Sequence, residues 1–142
     1  MRLSLVVLIV GLVLAACSPS RDRVGERPSG ETVDVRVTLV EFAIMSARTT
    51  FVSGQRYRFV VTNEGTLPHE LLVVRPARPG LPWSEEMRAG ALGVIEARNL
   101  PPGSGYVLNL VFDKPYPSGS LEFACHILGH YEAGQHLPII VS

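Results

Sequence analysis

The stretch Cys125-His126-Ile127-Leu128-Gly129-His130-Tyr131-Glu132-Ala133-Gly134-Gln135 lies just before a final apolar segment, residues 137–141. It places a thiol at Cys125, an imidazole at His130 and an amide at Gln135, with four residues between successive members. This spacing allows one short loop to present three side chains to a single metal ion. Because a thiolate with imidazole selects soft or borderline transition metals, the loop predicts a transition-metal site.

A second imidazole is available upstream at His69, which begins the apolar segment His69-Glu70-Leu71-Leu72-Val73-Val74. Two imidazoles and one thiolate with a weak axial donor form the ligand set of copper electron-transfer sites. A structural histidine at the start of a strand is the alternative interpretation. His126 adjoins Cys125 and is expected to point to the other side of an extended backbone, beside the site or at the surface.

The chain from Thr32 onward has the period-two alternation of half-buried strands, beginning with Val33, Val35, Val37 and Leu39. Clusters of Gly and Pro separate many short apolar segments, which is typical of an antiparallel sandwich or barrel. We therefore expect an all-β domain, with a helical turn in residues 83–89 and a long excursion within residues 75–104. The predicted strands cover residues 33–39, 57–62, 69–74, 93–97, 106–112, 120–124 and 137–141.

The N-terminus has the pattern of a secretory signal. Arg2 precedes an apolar run that is shorter than the ~20 residues needed to span a bilayer, and the run ends in small residues. Its ending, Leu14-Ala15-Ala16-Cys17, resembles the bacterial lipobox, which implies cleavage before Cys17 and acylation of Cys17, for example with palmitate. An ordinary signal peptide with an incidental cysteine is the alternative. Acylation would place the protein in the cell envelope, anchored to a bacterial membrane and facing the periplasm or the exterior.

The expected organisation has three parts: a cleaved signal peptide (residues 1–16), a lipidated cysteine with a flexible tether (17–31) and one folded domain (32–142). The tether is rich in Pro, Gly and charge and has little apolar surface to bury. The whole chain has 13 basic and 13 acidic residues, so no binding to nucleic acid is expected. If Cys17 carries lipid and Cys125 binds metal, no cysteine pair remains for a disulfide.

Over residues 33–141 the chain resembles the cupredoxins, the small blue copper proteins. The resemblance rests on Val37-x-Leu39-x-Glu41-Phe42, on Arg58-Phe59-Val60-Val61-Thr62-Asn63-Glu64-Gly65 leading to His69, on Pro101-Pro102-Gly103 and, above all, on the loop from Cys125 to Gln135. It implies a Greek-key β-sandwich that holds one mononuclear type 1 copper ion near one end.

Carried over by position, the resemblance implies that His69, Cys125, His130 and Gln135 are the copper ligands. Gln135 occupies the place where many relatives have methionine, and it resembles the glutamine of the stellacyanin-like branch. An amide oxygen is a harder donor than a thioether and favours the cupric ion, so a comparatively low reduction potential is expected. An unligated axial position and ligation by His136 are the alternatives.

Two positions depart from the pattern of the relatives. Leu128 stands where the loop often has proline, and Glu70 follows His69 where several relatives have a neutral residue. A carboxylate near the site would favour the cupric state further, but we interpret Glu70 as facing water. The resemblance also implies that His130 breaks the surface inside an apolar patch that includes Leu128 and Tyr131.

We expect a membrane-tethered carrier of single electrons between redox partner proteins, and not an enzyme. The chain has only four histidines, too few for a trinuclear cluster, and only one cysteine in the loop, where a binuclear copper centre would need two. One alternative is a copper-binding lipoprotein for storage, delivery or sensing, although the methionine or histidine enrichment typical of such a protein is missing. A plain sandwich used for adhesion, with an incidental cysteine, is the other.

Overall fold

The structure is a computed structural model that describes residues 30–78 and 84–142. The predicted signal peptide, the lipidation site at Cys17, almost all of the tether and the start of the predicted helical turn lie outside these residues. None of the helices in residues 30–78 and 84–142 has the length and apolar character of a membrane span.

The described residues form nine strands, one short α-helix and one 3₁₀ turn. In chain order these are β1 (Val33–Val40), β2 (Ala43–Ser46), β3 (Thr50–Phe51), β4 (Arg56–Asn63), β5 (Leu71–Val74), α1 (Glu85–Ala89), β6 (Gly93–Ile95), the 3₁₀ turn (Ala97–Asn99), β7 (Gly105–Val111), β8 (Tyr116–Ala124) and β9 (His136–Val141).

Two sheets enclose the main hydrophobic core, which confirms the predicted β-sandwich. The first has four strands in the order β2-β1-β4-β7, and the second has five in the order β3-β9-β8-β5-β6. Most neighbouring strands are antiparallel, as expected, but β1 pairs with β4 and β3 pairs with β9 in parallel. The purely antiparallel expectation is therefore wrong at these two pairs. Between β1 and β4 the chain forms β2 in the first sheet and β3 in the second. It then returns to the first sheet as β4, which runs parallel to β1.

The predicted alternation is confirmed in β1, where Val35, Val37 and Leu39 are buried while Asp34 and Arg36 are exposed. The same alternation holds in β4. By contrast, β2 and β3 were not predicted, because strands of four and two residues are too short to show a period.

An aromatic cluster occupies the core around Phe51, although β3 itself is very short. The centroid of the Phe51 ring lies 4.9 Å from that of Tyr57, 5.5 Å from those of Phe59 and Phe112, and 6.0 Å from that of Phe123. These rings come from both sheets and from the loop after β7. Phe51 therefore ties the two sheets together at the centre of the sandwich.

The excursion between β5 and β7 contains α1, β6 and the 3₁₀ turn. The predicted helical turn is confirmed for Glu85–Ala89. Ser84 caps it, because its side-chain oxygen accepts a hydrogen bond from the backbone N–H of Met87 at 3.3 Å.

Three connections meet at one end of the sandwich. They are the turn between β1 and β2, the segment just before β5, and the loop between β8 and β9. The Gln135 side chain of the third connection contacts Val40, the last residue of β1 before the first connection, and His69 of the second. The sequence predicts a strand that begins at His69, but β5 begins at Leu71, so His69 lies two residues before the strand.

Replacing Phe51 with alanine should lower the free energy of unfolding by about 3–5 kcal/mol, because the change opens a cavity between the two sheets. Val52→Ala is the matched control, since Val52 is next in the chain but exposed, and it should change stability by no more than about 0.5 kcal/mol. Urea unfolding of both variants measures the difference. Similar midpoints would show that Phe51 does not hold the core together.

Candidate metal centre

His69, Cys125 and His130 come together at the end of the sandwich where the three connections meet. One potential ligand atom from each lies within 4.8 Å of the others, and the Cys125 sulfur is 3.6 Å from Nδ1 of His130. All three side chains are buried. The structure thus assembles from distant parts of the chain three of the four residues that the sequence predicted as ligands.

Gln135, the predicted fourth ligand, is also buried and lies between the two imidazoles. Its Oε1 is 2.9 Å from Nδ1 of His130. Its Nε2 is 3.0 Å from Nδ1 of His69 and donates to the backbone oxygen of Val40 at 2.7 Å. A solvent-facing Gln135 is therefore inconsistent with the structure, and an axial role for its Oε1 stays a prediction.

Backbone hydrogen bonds within the loop fix the positions of its side chains. The N–H of His130 donates to the oxygen of Ile127 at 2.9 Å, that of Gln135 donates to the oxygen of His130 at 3.0 Å, and that of Cys125 donates to the oxygen of Gln135 at 3.0 Å. Gly129 and Gly134 have φ values of 84° and 109°, in a region that only glycine enters without strain. The loop is therefore a closed, internally bonded turn.

Burial determines the protonation states of Cys125 and His69. It raises the pKa of the Cys125 thiol, and hydrogen bonds from the backbone N–H groups of Glu70 and Ile127 only partly oppose it. Burial, followed by the nearby His130, lowers the pKa of His69. His69 is accordingly a neutral donor near pH 7, while Cys125 must release its proton to a metal.

One thiolate, two imidazoles and one amide oxygen fit a single copper ion. The thiolate and the imidazoles suit both oxidation states of copper, and the amide oxygen is the type of weak, hard axial donor found in some blue copper sites. Zn²⁺ accepts the same kinds of donor in a tetrahedral arrangement, so the two metals must be told apart by spectroscopy.

The turn between β1 and β2 also lines the site, beside the segment before β5 and the β8–β9 loop. The sequence did not reveal this contribution. The Phe42 ring meets the His130 ring edge to face, with centroids 5.7 Å apart. Glu41 accepts hydrogen bonds from the backbone N–H groups of Thr66 and Leu67, and mainly the bond from Thr66 lowers the pKa of Glu41 to about 2. The signal was the Glu41-Phe42 pair, which contributed to the resemblance but was given no place at the site.

The residues that follow the three predicted ligands of the loop stack on one another. The Tyr131 ring lies between those of His126 and His136, with centroids 4.6 Å away on each side. The Tyr131 hydroxyl donates to the buried carboxylate of Glu122 at 2.7 Å, and Nδ1 of His136 is 3.3 Å from the same carboxylate. This ring stack braces the side of the loop that faces away from the metal position.

The ring stack and the surroundings of Glu70 decide four expectations. His126 lies beside the site, as expected. His136 contacts Glu122, which disfavours it as the axial donor. Tyr131 is half-buried in the ring stack and does not belong to an exposed patch. The interpretation of Glu70 as facing water is wrong, because its side chain is buried and accepts a hydrogen bond from the backbone N–H of His126 at 3.0 Å.

Several solved structures of copper proteins are similar to this chain. Auracyanin from the photosynthetic bacterium Roseiflexus castenholzii is 18% identical over 80% of this chain and 98% of its own, with a TM-score of 0.55. Auracyanin A, a blue copper protein from Chloroflexus aurantiacus, is 13% identical over 79% of this chain and 100% of its own, with a TM-score of 0.54. Rusticyanin from Thiobacillus ferrooxidans is 17% identical over 80% of this chain and 79% of its own, with a TM-score of 0.58.

No family model matches the sequence, and comparison with curated proteins finds no match. At these levels of identity, the structural likeness establishes the fold. The chain has the cupredoxin fold, the β-sandwich of the blue copper proteins, as its resemblance to them implied.

Gly65→Ala should weaken metal binding, because an added Cβ would lie 2.7 Å from Oε1 of Glu41 and 2.8 Å from Nε2 of His69. His69 would have to move, and we expect a roughly 10- to 100-fold loss of cupric affinity, the range for changes beside metal ligands. Competition titration with a chelator measures it. In the control Gly90→Ala, the Cβ makes an ordinary 3.5 Å contact, and affinity should not change. Equal affinities in both variants would contradict the assigned position of His69.

Proposed function

We propose that this protein binds one type 1 copper ion through His69, Cys125, His130 and Gln135 and transfers single electrons between redox partners. The observation that carries the proposal is the buried convergence of His69, Cys125 and His130. Bound copper would supply the one-electron couple between its cuprous and cupric states. The protein's contribution would be to hold one set of donors that both states tolerate.

A rigid site supports a role in electron transfer. The loop ligands are fixed by backbone hydrogen bonds on one side and by the ring stack on the other, and the backbone N–H of His69 donates to the oxygen of Leu100 at 3.1 Å. Since few atoms can move when the charge of the site changes, the reorganisation energy should be small. His130 is only 7% exposed, so a substrate would find little access, and a carrier fits better than an enzyme.

An exposed apolar patch suits the docking of partner proteins and lies at the metal end, the end of the sandwich where the three connections meet. It consists of Phe42, Leu67 and Leu128, which are 47%, 43% and 96% exposed. Phe42 contacts the His130 ring, and Leu128 lies two residues before His130. Large apolar side chains exposed this close to a buried redox site favour a partner with an apolar surface of its own. Because the basic and acidic residues of the chain nearly balance, docking should depend only weakly on salt.

We also propose that the domain is tethered to a bacterial membrane through a lipidated Cys17 and the flexible tether of residues 17–31. The support is the lipobox-like ending of the apolar N-terminal run. A tether of this length would let the domain turn its apolar patch towards partners at the membrane surface. Copper storage or delivery is the less favoured alternative, because an exchangeable site should be more open than this buried one.

Adding cupric ion to the purified metal-free protein should produce an intense visible band at one equivalent, from thiolate-to-copper charge transfer, with slow loss of copper afterwards. Cys125→Ser should remove the band. Gln135→Met should raise the reduction potential, because a thioether stabilises the cuprous ion, whereas the same exchange at Gln55, which precedes the end of β4 that is remote from the site, should leave it unchanged. A protein that stays colourless would overturn the proposal, and rapid loss of copper would favour a delivery protein.

Leu128→Asp should slow electron self-exchange between oxidised and reduced copies of the protein. The new carboxylates of the two copies repel each other, and both must be desolvated when the apolar patches meet. The visible spectrum should not change. Ile140→Asp is the matched control, since Ile140 is also exposed but lies near the far end of β9. NMR line broadening gives the rates, and equal rates in the two variants would argue against docking at Leu128.

A further inference from the structure

Glu70 links the two segments that carry the proposed copper ligands. It follows His69 directly, and its Oε1 accepts the hydrogen bond from the backbone N–H of His126, the residue after Cys125. Only 6% of Glu70 is exposed. A carboxylate buried to this extent is costly unless an opposite charge and further hydrogen bonds compensate for it.

Arg88 of α1 supplies the opposite charge. Its Nη1 donates to Oε2 of Glu70 at 3.0 Å, so that both oxygens of this carboxylate have partners. Its Nη2 donates to Oε2 of Glu96 at 2.5 Å, next to the 3₁₀ turn. The planar guanidinium thus bridges two carboxylates, a geometry that the single ammonium group of lysine cannot reproduce.

Within residues 30–78 and 84–142, few other contacts hold the helix α1 in place. It is five residues long and buries none of its side chains. A helix this short is not stable alone. The Arg88 contacts with Glu70 and Glu96 are therefore a principal connection between α1 and the metal end of the sandwich.

We propose that Arg88 is a positioning residue of the metal centre. By neutralising Glu70, it holds in place the carboxylate that ties the His69 segment to the Cys125 loop, and it raises the reduction potential of bound copper. The potential rises because an unpaired negative charge near the site would favour the more positive cupric state, and a buried charge is only weakly screened. The effect on the reduction potential rests on the proposed function, whereas the positioning of the two segments concerns the protein without metal.

The first measurement is the thermal unfolding of the metal-free protein. Arg88→Gln should lower the melting temperature clearly, because it leaves Glu70 buried without its counter-charge. The matched control is Arg58→Gln. Arg58 pairs with Asp34, but both side chains are about half exposed, and Asp34 lies about 20 Å along β1 from Val40 at the metal end. This control should have a much smaller effect.

The double variant Glu70→Gln/Arg88→Gln separates charge from packing. A glutamine at position 70 retains an oxygen for the N–H of His126 but carries no charge, so the double variant should be more stable than Arg88→Gln alone. Arg88→Lys should recover only part of the loss. If Arg88→Gln melts at the same temperature as Arg58→Gln, the bracing role is wrong.

The second measurement is the reduction potential of the copper-loaded variants. Arg88→Gln should lower it, Glu70→Gln should raise it, and the double variant should lie between them, while Arg58→Gln should match the parent. Equal potentials for Arg88→Gln and Arg58→Gln would overturn the electrostatic role. A parent protein that binds no copper would defeat the proposed function instead, and the melting temperatures would still decide whether Arg88 braces the two segments.

Discussion

The side-chain amide of Gln135 joins the three connections that build the metal end of the sandwich. It donates to the backbone oxygen of Val40 at the end of β1, directly before the β1–β2 turn, and it contacts Nδ1 of both His69 and His130. A buried amide without partners would be costly. The partners of Gln135 are available only when all three connections are correctly placed, so this one group makes the arrangement of the ligands depend on the whole end of the fold.

Two buried acidic side chains support the segments around Gln135. Glu70 and Glu122 are buried, and each holds elements that flank the loop: Glu70 holds the backbone of His126, and Glu122 holds the ring stack through Tyr131. Burial raises the pKa of Glu122, which reflects the cost of placing a carboxylate there. The proposed ligands themselves are neutral or weakly acidic groups, and these charged neighbours add to the backbone hydrogen bonds that hold them in place.

The sequence predicted the parts of the structure whose signals are local. The spacing of Cys125, His130 and Gln135 marked the loop, and alternation marked β1 and β4. Local signals did not reveal β2 or β3, the wall formed by Phe42, or the burial of Glu70, because these depend on which segments meet in space. The ring stack was visible only in part: His126 was expected on the far side of the loop, but its stacking on Tyr131 requires the closed turn that Gly129 and Gly134 permit.

The pairing of β9 has a consequence for when the protein can acquire metal. The ligand loop is held between β8 and β9, and β9 pairs in parallel with β3, far earlier in the chain. Pairings between such distant segments form slowly. A nascent polypeptide that has emerged only as far as His130 has no β9 on which to close the loop. Under the proposed function, the complete set of copper donors would come together only after chain completion and folding, and a factor that inserts the ion would act on the finished apoprotein.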